Sequence, residues 1–405
     1  MYPFNIAVLI TLSCTAAKVQ IEELSRGFYK FGVDLYQQCS QSEPGNLIIS
    51  PYSVGTSLTL LSEAANGTTY EQLKKHLYLN GEKSVVADQL KKYNELIKRS
   101  AGQSELMIAN QIYVQQEFQL NQDFQKIAVD KFDAGVESVD FVENDETSQL
   151  INNFVAEKTK GNIKQIVNPD MFNTFTRVFL INAIYLKSIW LQPFPRYGKS
   201  RKGGGSFYNI TEKFYISETE TVEANFMKMT KKLWIVDLDE LDIAALRLDY
   251  VNSNFSFIII LPNKRTGLST LEAQLQHINL SKIVEQMKFV EHRVEIPKFK
   301  ITTEFLLNDI LIKMGMNEMF KKTANLSGLL STDEPLFVSH VIHKATIEIN
   351  ERLTEATAAS GISSRTLSGT GIFRAEHPFM YYVWDRETNT TIFSGCIKNP
   401  TDNKS

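Results

Sequence analysis

Cysteine is scarce in this chain: three residues, at 14, 39 and 396, in 405. So few exclude a disulfide framework as the source of stability, and without a Cys-x-x-Cys pair there is no zinc-ribbon or dithiol redox site. Long apolar runs are missing too. The strongest, Ile6 to Leu12 and Phe255 to Leu261, are too short to cross a bilayer, so no membrane anchor is expected. Neither charge dominates, with 43 Lys plus Arg against 46 Asp plus Glu. That balance gives nucleic acid no general electrostatic hold. The sequence contains no His-Glu-x-x-His, no glycine-rich phosphate loop ending in Gly-Lys-Ser/Thr and no Gly-x-Ser-x-Gly nucleophile turn. Neither an enzyme nor a cofactor is expected. Linkers and internal repeats are also absent, and the length reads as one large domain.

What is present begins with a leader-like N-terminus. The apolar core Ile6 to Leu12 is followed by small residues, and Ala17 suits the last position before cleavage. Residues 1–17 therefore read as a secretory signal and 18–405 as the mature chain. Removing the signal leaves Cys39 and Cys396, which are either one disulfide or two buried thiols. Acceptor triplets for N-glycosylation stand at Asn66, Asn209, Asn254, Asn279, Asn325 and Asn389.

Periodicity orders the rest. Apolar residues at helical spacing predict helices over Ile21–Gln38, Ser53–Ala65, Thr68–Leu77, Val85–Ser100, Asn121–Phe132 and Asp145–Lys160. Pro51 opens the second of these, where its missing N–H costs nothing, and Thr147 is a candidate cap for the last. Leu106–Val114 and Val136–Phe141 read as strands, and Arg177–Leu186 as a strand covered on both faces. Further strands are predicted at Thr221–Met229, Leu233–Asp237, Ile243–Leu248, Phe255–Leu261, Arg293–Ile301, Phe337–Ile349, Phe379–Trp384 and Thr391–Ile397, with helices near 268–275, 281–287 and 306–314. This mixture makes the chain α+β.

Two stretches stand out. Arg196, Lys199, Arg201 and Lys202 precede three glycines, Gly203 to Gly205, in a basic surface loop. It is a candidate site for a heparin-like polyanion, weighed against a loop that is merely solvated. The second stretch, Arg352 to Phe373, is almost wholly Thr, Ala, Ser and Gly and joins two β-forming runs. Thr354, Ala356, Ala358, Ser360, Ile362, Ser364 and Thr366 share one parity without charge, while Glu355 and Arg365 take the other. The loop is thus also written as a strand with one face fit for burial. A metal between His340 and His343 is not expected, because residues three apart on a strand point to opposite faces.

Several motifs, NLIISPYSVGTSL (46–58), INNFVAEKTKGNI (151–163), INAIYLKSIW (181–190), IPKF (296–299), VSHVIHKATIEINE (338–351), HPF (377–379) and FSGCIKNP (393–400), stand in an order and spacing that resembles the serpins across the mature length. The resemblance implies three β-sheets, about nine helices and an exposed reactive loop near residues 352–373. It implies a monomeric inhibitor of serine proteases that acts as a suicide substrate: the protease cuts the loop, and the loop inserts into the largest sheet before the acyl-enzyme hydrolyses. The inhibitor itself supplies no catalytic group.

Carried over position by position, the resemblance puts Glu351 before the hinge and Thr354, Glu355, Ala356, Thr357, Ala358, Ala359 and Ser360 within it. Counts from Glu351 and from Pro378 both place the cut at Leu367–Ser368, which suits an apolar, chymotrypsin-like pocket; Arg365 is the alternative for a trypsin-like enzyme. Ser50, Ser53, Asn182 and His343 correspond to a polar cluster where the sheet parts, and Trp190, Lys298 and Glu351 to the insertion point. The chain departs from the pattern at Arg352 and Leu353, which replace Glu-Gly, at Phe154 for Trp and at Ser188 for Gly. The hinge departures keep a non-inhibitory carrier or binding protein as the alternative.

Overall fold

The computed structural model describes residues 4–195, 210–332, 334–351 and 371–402. Among these lie nine α-helices: α1 Phe4–Ser42, α2 Pro51–Ala64, α3 Gly67–His76, α4 Lys83–Ala101, α5 Gln122–Phe132, α6 Asn144–Lys158, α7 Leu268–Ala273, α8 Leu280–Gln286 and α9 Asn308–Lys313. The strands are β1 Leu47–Ile49, β2 Glu105–Gln115, β3 Gly135–Val139, β4 Val178–Lys187, β5 Ile210–Tyr215, β6 Thr221–Leu238, β7 Ile243–Asp249, β8 Phe255–Pro262, β9 Lys288–Pro297, β10 Phe299–Leu306, β11 Val338–Ile349, β12 Gly371–Arg374, β13 Phe379–Asp385 and β14 Thr390–Ile397.

One sheet has five strands in the order β10-β11-β4-β2-β3. The other nine strands form a continuous ladder, β1-β14-β13-β8-β7-β6-β9-β12 with β5 on β6. The 18-residue β6 joins two sheets here. Its first half pairs with β5, its second half with β7, and β9 spans both. Beside the five-stranded sheet these make the three sheets that the resemblance implies.

The continuous apolar run of β4 is explained by its position. Val178, Leu180, Ile184 and Leu186 enter the main core, while Phe179, Ile181, Ala183 and Tyr185 enter a second, smaller core that α6 covers with Ile151 and Val155. A strand buried on both faces has no solvent side on which polar residues can alternate. α2 is buried along nearly its whole length beneath the sheet.

Several expectations need correction. The first helix is α1, Phe4–Ser42, far longer than Ile21–Gln38. No proline stands between Pro3 and Pro44, and the apolar leader is as helix-competent as the amphipathic stretch after it. Thr147 does not cap α6: Glu143 holds that position, and the Thr147 hydroxyl donates to the Asp140 carbonyl at 2.7 Å. The two runs at 221–229 and 233–237 are one strand, because β9 pairs with β6 without interruption from Phe226 to Ile235. Thr230, Lys231 and Lys232 are simply its exposed residues. Arg293–Ile301 is divided at Lys298 between β9 and β10, which belong to different sheets. Gly371–Phe373, assigned to the loop, lie in β12 and pair in parallel with β9. Of the two readings left open for the cysteines, that of two buried thiols holds: Cys39 and Cys396 are free, and burial pushes the Cys396 thiol up to about 11.

Candidate functional site

The candidate site is the seam between β11 and β4, the central strands of the five-stranded sheet. They run parallel, in register from His340 opposite Phe179 to Ile347 opposite Leu186, with a bulge between Val338 and His340. Parallel pairing is slightly weaker per residue than antiparallel pairing. His343 and Asn182 are register partners across this seam.

Both point toward α2. Ser50 is the N-cap of that helix: its hydroxyl accepts from the Ser53 amide at 3.2 Å and donates to the Ile392 carbonyl at 2.6 Å. Pro51 follows at the first helical position, and Ser53 and Ser57 then lie one turn apart facing the sheet. The Ser50 amide donates to His343 Nε2 at 3.0 Å. An accepting Nε2 fixes the proton on Nδ1, which donates to Asn182 Oδ1. The Asn182 amide donates to Ser53 Oγ at 2.6 Å, Ser57 Oγ at 3.2 Å and Asn110 Oδ1 at 2.5 Å. All four residues assigned to the cluster from sequence are therefore joined in one buried network.

Asn110 and Ser57 complete it and were missed. The signal existed: Asn110, with Gln111, interrupts the otherwise apolar Met107–Val114 run, and it sits opposite Asn182. A buried polar group on a covered strand needs partners, and these are its partners.

At the end of β11, Trp190 Nε1 donates to the Asn350 carbonyl at 3.0 Å, and the indole stacks on Tyr250 with centroids 4.7 Å apart. Lys298 meets Glu351 at 2.5 Å with both side chains only about one-fifth exposed. These three residues hold the chain where it leaves the sheet. His340, by contrast, turns its ring to Phe179 on the opposite face, 5.2 Å between centroids. Phe154 packs edge-on to Tyr113, and Ser188 shares a hydrogen bond with Ser104 at 2.6 Å.

Residues Arg352 to Ser360, Arg365, Leu367 and Ser368, the basic residues Arg196, Lys199, Arg201 and Lys202, and Asn209 lie outside the described residues. Of the remaining acceptor asparagines, Asn66, Asn279, Asn325 and Asn389 are exposed. Asn254 is half-buried and donates to Glu387 at 2.9 Å. No helix among the described residues is long and apolar enough to cross a membrane.

With this geometry, comparisons with known proteins agree. The family model for serpins (serine protease inhibitors) matches residues 27–400. A leukocyte elastase inhibitor of Xenopus tropicalis is 30% identical over 388 residues, covering 94% of this chain and 100% of the relative. Antichymotrypsin-2 of Bombyx mori is 30% identical over 380 residues, covering 92% and 97%. The crystal structure of Serpin48, a serpin of the insect Tenebrio molitor, superposes with a TM-score of 0.82 at 29% identity, covering 93% and 98%. The chain belongs to the serpin family and has the serpin fold.

Burial holds the His343 imidazole down at about 3, outweighing its contact with Asn182. The unfolded chain takes up this proton as pH falls through about 6.5, whereas the folded chain does not until about 3. Stability is thus complete above about pH 6.5 and drains away below it, by about 1.4 kcal/mol per pH unit from this group. Urea midpoints measured between pH 7 and pH 5 should fall less steeply for His343→Gln than for the wild type; equal slopes would remove His343 from the account.

Proposed function

We propose that this serpin is a secreted inhibitor of a chymotrypsin-like serine protease, working by loop cleavage at Leu367–Ser368, acyl-enzyme trapping and loop insertion between β11 and β4. The observation that carries the reading is the closed parallel seam with a hydrogen-bonded polar cluster beneath it. Between two parallel strands there is room, in hydrogen-bonding terms, for one strand antiparallel to both. Such a strand replaces one parallel ladder by two antiparallel ones, and it must begin where β11 ends, at Glu351. Insertion of this kind is the known behaviour of serpins as a group.

The segment from Arg352 to Leu367 is longer than the twelve residues of β11, so it suffices to fill the seam. Its alternate positions Thr354, Ala356, Ala358 and Ser360 are small. They would enter between α2 and α6, where a bulky or charged side chain raises the barrier. Speed matters, because deacylation competes with insertion. Asn182 and His343 must part for the strand to enter, while the Ser50 amide keeps its bond to His343 Nε2 and limits the cost of an unpaired buried group.

Leu367 supports an apolar primary pocket, and the names of the frog and silkworm relatives point to elastase and chymotrypsin as their targets. Arg365 supports a second reading, a trypsin-like target with a shorter inserting arm. Arg352 and Leu353 support a third: with a Cβ where the family has Gly, the hinge bends less freely, as in a non-inhibitory carrier. Residues 1–17 form the secretory signal in this proposal, and the exposed acceptor asparagines suit glycosylation outside the cell. The loop of Arg196, Lys199, Arg201 and Lys202 supplies the charge for a heparin-like partner; deletion of residues 199–205 should advance elution from a heparin column, and unaltered elution leaves a solvated loop.

Protein recovered from culture medium should begin at Lys18. Mixed with chymotrypsin or with trypsin, it should give a complex on denaturing gels with chymotrypsin and release a peptide beginning at Ser368. Thr354→Arg should instead yield cleaved inhibitor and free protease. Quantitative cleavage of the wild type without any complex would sink the inhibitory reading.

A further inference from the structure

Beside the strand after the loop lies an exposed face that the fold does not explain. Along β6, β9 and β12 alternate side chains such as Met229, Val294 and Phe373 enter the core. The opposite parity faces solvent and carries Trp234, Phe289 and Ile372. Phe289 is 47% and Ile372 65% exposed. Trp234 and Phe289 are register partners with ring centroids 5.2 Å apart. The Arg247 guanidinium sits 4.5 Å from the Trp234 centroid, anchored by Asp249 at 3.0 Å.

Between the aromatic end and Ile372 the face carries one charge of each sign, Lys232 opposite Glu291, and at and beyond Ile372 the charges are paired. Arg293 meets Glu295 at 2.6 Å, and Arg374 meets Glu212 and Glu376, each at 2.9 Å. The face therefore offers fixed apolar side chains at both ends and little net charge between. Aromatic and aliphatic groups already held by paired strands lose little freedom on docking, the condition under which they anchor an interface.

We propose that this face is a second docking surface for the protease that attacks the loop, a deepening that rests on Leu367–Ser368 being the bond it attacks. Chain connectivity selects the occupant. Ile372 is five residues beyond Leu367, so the attacked bond stays within about 17 Å of it. Phe289 lies four residues along β9 from Arg293, the partner of Ile372, or about 13 Å. A protease of about 240 residues has a radius of gyration near 18 Å. An enzyme engaged at Leu367 thus overhangs the whole face, and an apolar surface beside its cleft would bury Phe289 and Ile372. The face adds affinity for the encounter without changing the bond that is cut.

The test uses the full-length protein and whichever of chymotrypsin, elastase and trypsin consumes the wild-type loop fastest. The rate constant for loop consumption, whether it ends in complex or in cleaved chain, should fall about tenfold for the double variant Phe289→Ser/Ile372→Ser. Phe175→Ser, at an aromatic 75% exposed elsewhere, should match the wild type. Cleavage of a synthetic peptide spanning residues 357–373 supplies the rate without the face, and the double variant should approach it. Phe289→Thr, which retains β-propensity, should lower the rate with an unchanged unfolding midpoint, separating docking from folding. Equal rates for wild type and double variant overturn the proposal even where complexes form. Absence of complex together with a tenfold rate difference overturns the inhibitory reading and leaves the docking surface standing. A face that instead joins two copies of this chain would show as a loss of mass on sedimentation of the variant with unaltered rates, and that too overturns it.

Discussion

The bond between His343 and Asn182 crosses the parallel seam in the middle of the five-stranded sheet. Two parallel strands at the centre of the five-stranded sheet are held side by side over a buried set of hydroxyls, amides and one neutral imidazole. A charged imidazole would be costly there, and burial keeps it neutral. The Ser50, Ser53, Asn182 and His343 donors of the set each have an acceptor within it or on the neighbouring backbone. For the proposed insertion a polar seam has an advantage over an apolar one, because hydrogen-bonding groups can change partners where packed hydrocarbon leaves a void.

Everything around the seam serves to keep it closed and addressable. α2 brings Ser50, Ser53 and Ser57 to it from below because Ser50 caps and Pro51 starts that helix at the right height. α6 closes the other side with Ile151 and Val155. At the top, Trp190, Lys298 and Glu351 pin the point where β11 ends. A partly exposed ion pair contributes little energy, so its weight is positional: it holds the end of β11 against the strand that follows β9. The chain then returns through β12 against β9, which ties down the far end of the loop and sets its length.

Much of this was legible in the sequence. The continuous apolar run of β4 and the Pro51 start of α2 come from the periods of strand and helix, and motif order supplied the family. The cluster residues Ser50, Ser53, Asn182 and His343 came from resemblance; Asn110 was signalled only as a polar residue in a strand-like run, and its partner, like that of Ser57 on α2, came with the structure. Boundaries failed where pairing overrides local composition. Lys231 and Lys232 look like a break, yet β6 runs through them because β9 pairs throughout; the break at Lys298 is invisible because Ile296, Phe299 and Ile301 are all strand formers assigned to different sheets. The short β12 hid at the end of a small-residue loop, since four residues carry too little pattern to be told from a loop.

The central claim is that the closed seam is the less stable of two arrangements open to this chain, the other having the loop as an added strand. The direct measurement is the thermal unfolding midpoint of the intact chain against the same chain nicked once within residues 352–370. The account predicts a midpoint at least about 10 °C higher after the nick. An unchanged or lower midpoint would contradict it, because a loop that gains nothing by insertion cannot trap a protease.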